Sequence, residues 1–202
     1  MNFKSIPREF EYLPWPEVEN ITKDKRSTII WPFGAIEQHG PHLPLATDSI
    51  FIDEIICEVL KLFPSDVPLK KLPTQYMGFS PEHKGFDGTI SLSSNLITSM
   101  IKEVGVQLSE MGFKRLILIN AHGGQISLLS TAARELRSSA PKLSIFPCFL
   151  WSGVEGLGDL LPKKEIEDGL HASLAETSLM LSLKPELVGD ERPCELLERQ
   201  IP

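Results

Sequence analysis

The chain of 202 residues contains five histidines, and two of them share one short stretch with two carboxylates. That stretch, GAIEQHGPHLPLATDS over residues 34–49, holds Glu37, His39, His42 and Asp48. Gly40, Pro41 and Pro44 interrupt it, so neither a helix nor a regular strand runs through its middle. Glu37 and His39 stand two apart, a spacing that in extended backbone sends both side chains to the same side. A carboxylate and an imidazole so placed can reach one ion jointly or two neighbouring ions. Asp48 returns after the proline-stiffened excursion and can use its two oxygens to bridge a pair. These donors suit Zn²⁺, Mn²⁺ or Fe²⁺. Two such ions about 3.5 Å apart activate water at neutral pH and polarise a carbonyl.

Each of these residues has an ordinary explanation when taken alone. An E-x-H pair is common and usually binds nothing. His122, before Gly123 and Gly124, can be a turn histidine, and His171 a surface histidine in a loop. Glu176 can be a first-turn glutamate favoured by the helix dipole. The conjunction is what argues for chemistry: four of the five histidines fall in two strand-end loops and one turn before a helix, each beside acids or glycines.

The elements that must position them are legible from periodicity. Residues 26–34 form a short apolar run that predicts a buried strand, and residues 48–63 recur at helical spacing up to Pro64. A weaker strand is expected around residues 67–72, and a short strand or turn over 88–94. SSNLITSMIKEVGVQLSEMGF, residues 93–113, reads as an amphipathic helix with a serine cap at Ser93 or Ser94 and Gly112 as its stop. KRLILIN, residues 114–120, predicts a parallel strand buried on both faces. HGGQ leads into a further helix, KLSIFPCFL predicts another strand, and SLAETSLMLSL the last helix. Residues 153–169, with their glycines and charges, predict a long loop or flap. Strands alternating with helices of crossover length imply one α/β domain over residues 1–202. Its sheet is largely parallel with helices on both faces, residues 1–25 form an N-terminal arm, and residues 188–202 form a tail. Loops at the carboxyl ends of such strands are where ligands bind, and the polar motifs occupy those loops.

Composition narrows the function. A net charge of −7 with no cluster of lysine and arginine argues against nucleic acid as a partner. No apolar run is long enough to span a bilayer, and the first residues carry no secretory pattern. Three cysteines (Cys57, Cys148 and Cys194) lie far apart, so buried reduced thiols in a cytoplasm are expected.

GAIEQHGPHLPLATDS, NAHGG and HASLAETSLML together resemble the creatininase family of metal-dependent amidohydrolases. HKGFDGTISL, residues 83–92, resembles a further family segment that usually has proline where this chain has Asp87. The likeness runs from Trp31 to Leu181. It implies a creatininase-like fold, a divalent metal centre of two ions (Zn, Mn or Fe), and hydrolysis of an amide C–N bond by metal-activated water. Glu37, His39 and Asp48 match the first metal ligands, with Asp48 bridging, and His122 matches the next. The creatinine-hydrolysing members have a glutamate two residues after that histidine, where this chain has Gly124. In other branches the glutamate of the ETS motif is the natural substitute, which makes Glu176 the expected fifth ligand and a catalytic candidate. His171 matches a histidine that handles protons at the leaving nitrogen. His42 is expected to orient a ligand through a hydrogen bond. His83 and Gly123 are expected to line the substrate pocket or support the ligands.

Substrate is less determined. The missing glutamate at Gly124, and the absence of tryptophan in residues 165–169, count against creatinine and favour another small, non-peptide amide. A deformylase acting on a formylamino-pyrimidine nucleotide and a peptide-trimming enzyme are the alternatives within the family. The competing class is a metal-binding protein of the same fold that has lost catalysis and serves as a binding module, kept open by Ser173, Asp87 and Ala121 where relatives often differ. The resemblance also implies a homo-oligomer.

Overall fold

In β1 (Thr28–Phe33) every residue is buried, because the strand is covered from both sides. The computed structural model describes residues 7–169 and 171–192. Ile29, Trp31 and Phe33 enter the larger core cluster, and Ile30 enters a second. Period-two alternation in one strand thus feeds two hydrophobic layers. The sheet has four parallel strands in the order β2-β1-β3-β4, where β2 is Leu69–Lys71, β3 is Arg115–Asn120 and β4 is Ser144–Phe149. β1 and β3 pair in register from Thr28 with Arg115 to Phe33 with Asn120, so both strands end side by side.

One layer is built from α3 (Ser94–Met111) and α4 (Ile126–Ser139), joined by Val18 and Ile21 of α1 (Trp15–Thr22). α3 buries Ile97, Ile101 and Leu108 on one stripe. It starts where the Ser93 hydroxyl accepts the Leu96 amide at 3.2 Å, and it ends at Gly112, whose φ of 103° only glycine adopts without strain. The other layer is α2 (Thr47–Leu62), which lays Ile52, Ile56 and Leu60 against Ile30 and Leu69. α7 (Leu174–Leu183) docks on α2 through Phe51 and Met180.

Several expectations need correction. β3 is not buried on both faces: Leu116 and Leu118 are buried, while Ile117 and Ile119 on the α2 side are only half-buried. β4 is an edge strand, and its Phe146 is exposed. Residues 153–169 are not one loop, since they contain α5 (Leu157–Leu160) and α6 (Lys163–Asp168). Both helices are too short to show a period in the sequence. Cys148 is exposed and Cys57 half-buried, so neither is the buried thiol expected, and Cys194 lies outside the described residues. The expected tail beyond residue 192 also lies outside them. Among the described residues no helix is long and apolar enough to cross a membrane.

Candidate metal centre

From β1 the chain crosses to β2 on one side of the sheet, and from β3 it crosses to β4 on the other. The crevice beyond the ends of β1 and β3 is therefore the switch point at which parallel sheets hold their ligands. The loop after β1 brings Glu37 and His39 there, and α2 brings Asp48 in its first turn. His122 follows β3 directly. Glu176 comes from the first turn of α7, and His171 from the segment just before it.

A hydrogen-bond network holds these loops together. The Asn120 carboxamide accepts the His122 amide at 3.0 Å and donates to its carbonyl at 2.6 Å. Gln125 donates to Asn120 Oδ1 at 2.9 Å and to the Gly34 carbonyl at 3.0 Å, and it accepts the Phe79 amide at 3.1 Å. The end of β1, the end of β3 and the loop near residue 80 are thereby fixed to one another. Ser49 pins the start of α2 by donating to the Ala35 carbonyl at 3.1 Å. Asn120 and Gln125 escaped the sequence reading because a neutral amide at a strand end has no spacing signature.

Glu37 and His39 have no exposed surface, and Asp48, His122 and Glu176 are nearly as deep. His122 Nδ1 lies 3.0 Å from Glu37 Oε1 and 3.2 Å from Asp48 Oδ2. His39 Nε2 lies 3.4 Å from Asp48 Oδ1. Asp48 thus faces both rings, one with each oxygen. His39, His171 and Glu176 form a second group whose donor atoms lie within 4.8 Å of one another, beside the group of Glu37, His39 and Asp48. His171 Nδ1 stands 3.8 Å from Glu37 Oε1, and its Nε2 donates to the Gln38 carbonyl at 2.6 Å. Both oxygens of Glu37, Nε2 of His39 and Oδ2 of Asp48 are buried without a hydrogen bond. Orphaned groups of this kind are rare and costly in a native interior. A divalent cation would satisfy them together, so the residues fit the ions that the resemblance implies.

The remaining candidates surround this centre. His42 belongs to none of the donor groups among the described residues; its Nε2 bonds the Thr177 hydroxyl at 2.8 Å and ties the loop to α7. The His83 ring stacks on His171 with centroids 4.4 Å apart, and Gln38 Nε2 bonds its Nδ1 at 3.1 Å. Gly123 is exposed beside open space. Trp151 is half-buried, its ring edge-on to Phe51 on α2. One carboxylate was missed: Glu82, in the turn Pro81–His83, lies 3.5 Å from His122 Nε2. Its only sequence signal was adjacency to His83.

The electrostatics follow from this crowding of acids and rings. Burial is the largest influence on His39 and opposes its charge. Contact with Asp48, with Glu176 and Glu37 behind it, more than offsets burial and carries the pKa up to about 9. For His122 the same opposition, won by Asp48, Glu37 and Glu82, carries it up to about 12. Asp48 is pushed below the usual carboxylate range by the two rings, despite its burial. His171 has no such compensation: burial, then the neighbouring His39, push it down to about 4. Burial raises Glu176 to about 7.

The creatinine amidohydrolase family model, Creatininase, matches residues 11–200. The chain belongs to the creatininase family. Within the family it is 32% identical over 171 residues to the mycofactocin precursor peptide peptidase of Mycobacterium tuberculosis (strain CDC 1551 / Oshkosh), covering 82% of this chain and 62% of that protein. It is 27% identical over 194 residues to the creatinine amidohydrolase of Pseudomonas putida, covering 89% and 73%. The chain therefore spans less than two thirds of the length of the peptidase it matches. A solved structure of a creatinine amidohydrolase (creatininase) superposes with a TM-score of 0.76 at 25% identity, over 98% of this chain and 82% of that one. These creatininase-family relatives carry the names of hydrolases, and the α/β fold is shared with the solved structure.

Proposed function

We propose that this protein is a metal-dependent amidohydrolase, with Glu37, His39, Asp48, His122 and Glu176 holding two divalent ions and Asp48 bridging them. The observation that supports this most directly is the set of buried, hydrogen-bond-free ligand atoms on Glu37, His39 and Asp48 within one small space. When bound, the ions would supply an activated water and a Lewis acid for the amide carbonyl. His171 handles the proton. Its Nε2 proton is committed to the Gln38 carbonyl, so Nδ1 is the free base and faces Glu37. A ring with so low a pKa is neutral at pH 7, so Nδ1 would first take the proton that the attacking water loses and then give it to the departing nitrogen. His83, stacked on His171, fixes the ring plane. Glu176 is held for its task by the Ala172 amide, which donates to Oε2 at 2.6 Å.

Among amides, peptide ends stand ahead of creatinine as the first substrates to try. The most identical of the relatives above is named a peptide peptidase, and Gly124 lacks the carboxylate expected of creatinine-hydrolysing members. Elemental analysis of purified protein tests the centre. Near two equivalents of Zn, Mn or Fe are expected in the parent, with at least one lost in Asp48→Ala. No bound metal after reconstitution would refute the proposal. Turnover across peptides, formamides and creatinine then separates the substrate classes.

A further inference from the structure

The turn after residue 78 surrounds one nitrogen of one ligand. His122 Nε2 lies 3.0 Å from the Phe79 carbonyl, 3.2 Å from the Ser80 hydroxyl and 3.5 Å from Glu82 Oε1. A carbonyl only accepts, so the ring proton sits on Nε2. Nδ1 is then the nitrogen that faces Glu37 and Asp48 and that an ion would take in place of a proton. Gly124 makes the arrangement possible. A Cβ there would lie 1.8 Å from Glu82 Oε1 and 2.6 Å from His122 Nε2, so any side chain at this position would displace the carboxylate and press on the ring. The Glu82 carboxylate in this position and a side chain at 124 would compete for the same space.

We propose that Glu82 is a positioning residue: its carboxylate, admitted by Gly124, sits behind His122 Nε2 and so presents Nδ1 to an ion shared with Glu37 and Asp48. This rests on the metal-centre reading above. An anion behind an imidazole ligand fixes its tautomer and ring plane and makes the opposite nitrogen a stronger donor. The Phe79 carbonyl supplies direction without charge, and Glu82 supplies the charge.

The test is titration of Mn²⁺ into metal-free protein by calorimetry, for the parent, Glu82→Gln and Glu82→Ala. Every variant should keep the parent's stoichiometry. The weaker of its sites should lose about tenfold in affinity in Glu82→Gln, which keeps an acceptor oxygen without charge, and about a hundredfold in Glu82→Ala. Nitrogen-15 spectra of histidine-labelled parent loaded with Zn²⁺ should show His122 bound through Nδ1 and protonated at Nε2. Glu82 lies partly exposed in a turn, so Glu82→Gln should fold as the parent does. Unchanged affinity in both variants, or His122 bound to the ion through Nε2, would overturn the role. Loss of a whole equivalent in Glu82→Gln would overturn it in favour of direct ligation. A parent that binds no Mn²⁺ would sink the metal centre itself and this inference with it, whereas a parent that binds while the variants match it sinks this inference alone.

Discussion

His171 is the residue whose chemistry depends most on where its proton sits. With burial and His39 driving its pKa down to about 4, the ring of the metal-free protein should stay neutral throughout the physiological range. Its NMR ring-carbon proton signal should therefore be flat between pH 8 and pH 5.5; a midpoint near 6.5 would refute this. Replacing His171 by Asn should cut kcat by about 10²–10⁴-fold with little effect on metal content, as expected for loss of a general acid–base group. The next residue, Ala172, holds φ at 50°, in the left-handed region that alanine adopts at a cost of about 1 kcal/mol. Ala172→Gly removes that cost but adds unfolded-chain entropy, so its net effect on stability should stay within about 1 kcal/mol, read as the midpoint of urea unfolding.

At the scale of elements, two glycines set how closely layers approach. A Cβ on Gly34 would meet the backbone of Ser49 at 2.5 Å from its Cα, so the end of β1 and the first turn of α2 touch through this residue. Asp48 sits in that turn. Gly34→Ala should therefore destabilise the fold by about 1–3 kcal/mol and also lower metal content, because the ligand moves with the helix. Gly105 plays the same part between α3 and α4, where a Cβ would meet Leu136 Cδ2 at 2.2 Å. Gly105→Ala should cost stability on the same scale but leave metal content unchanged, since Gly105 and Leu136 lie in the α3–α4 layer and include no ligand. Equal metal loss in both variants, measured by elemental analysis, would contradict this division.

For the whole molecule, metal and pH should act together on stability. In the metal-free protein His39 binds its proton more tightly folded than unfolded, with a folded pKa of about 9. The stability from that proton is complete below the ordinary imidazole pKa of about 6.5 and is lost as pH rises through about 9. Glu176, raised to about 7, acts in the same direction over a lower range, from its ordinary value up to about 7. The Tm of metal-free protein should thus fall between pH 7 and pH 10. Metal binding needs the unprotonated rings, so the gain in Tm on adding Mn²⁺ should be larger at pH 9 than at pH 6. Calorimetric scans at both pH values check the sign.

The sequence alone was enough for the α/β class, because apolar period and turn residues are local properties that survive without neighbours. The sequence also singled out, through its motifs and the resemblance they carry, Glu37, His39, Asp48, His122, Glu176 and His171 as the residues proposed to act. Helices α5 and α6 escaped it, being shorter than the window in which a helical period shows. Tertiary structure alone decided which donors meet. Register between β1 and β3 brings Glu37 and His122 together across 85 residues of chain, within 3.0 Å. The same holds for the Asn120–Gln125 network, the tie from His42 to Thr177, and Glu82, whose importance depends on the space left by Gly124. These contacts join residues distant in sequence, and the side-chain types carry no mark of their partners. Only folding, which sets distance and burial together, turns an ordinary surface glutamate into the neighbour of a buried ring.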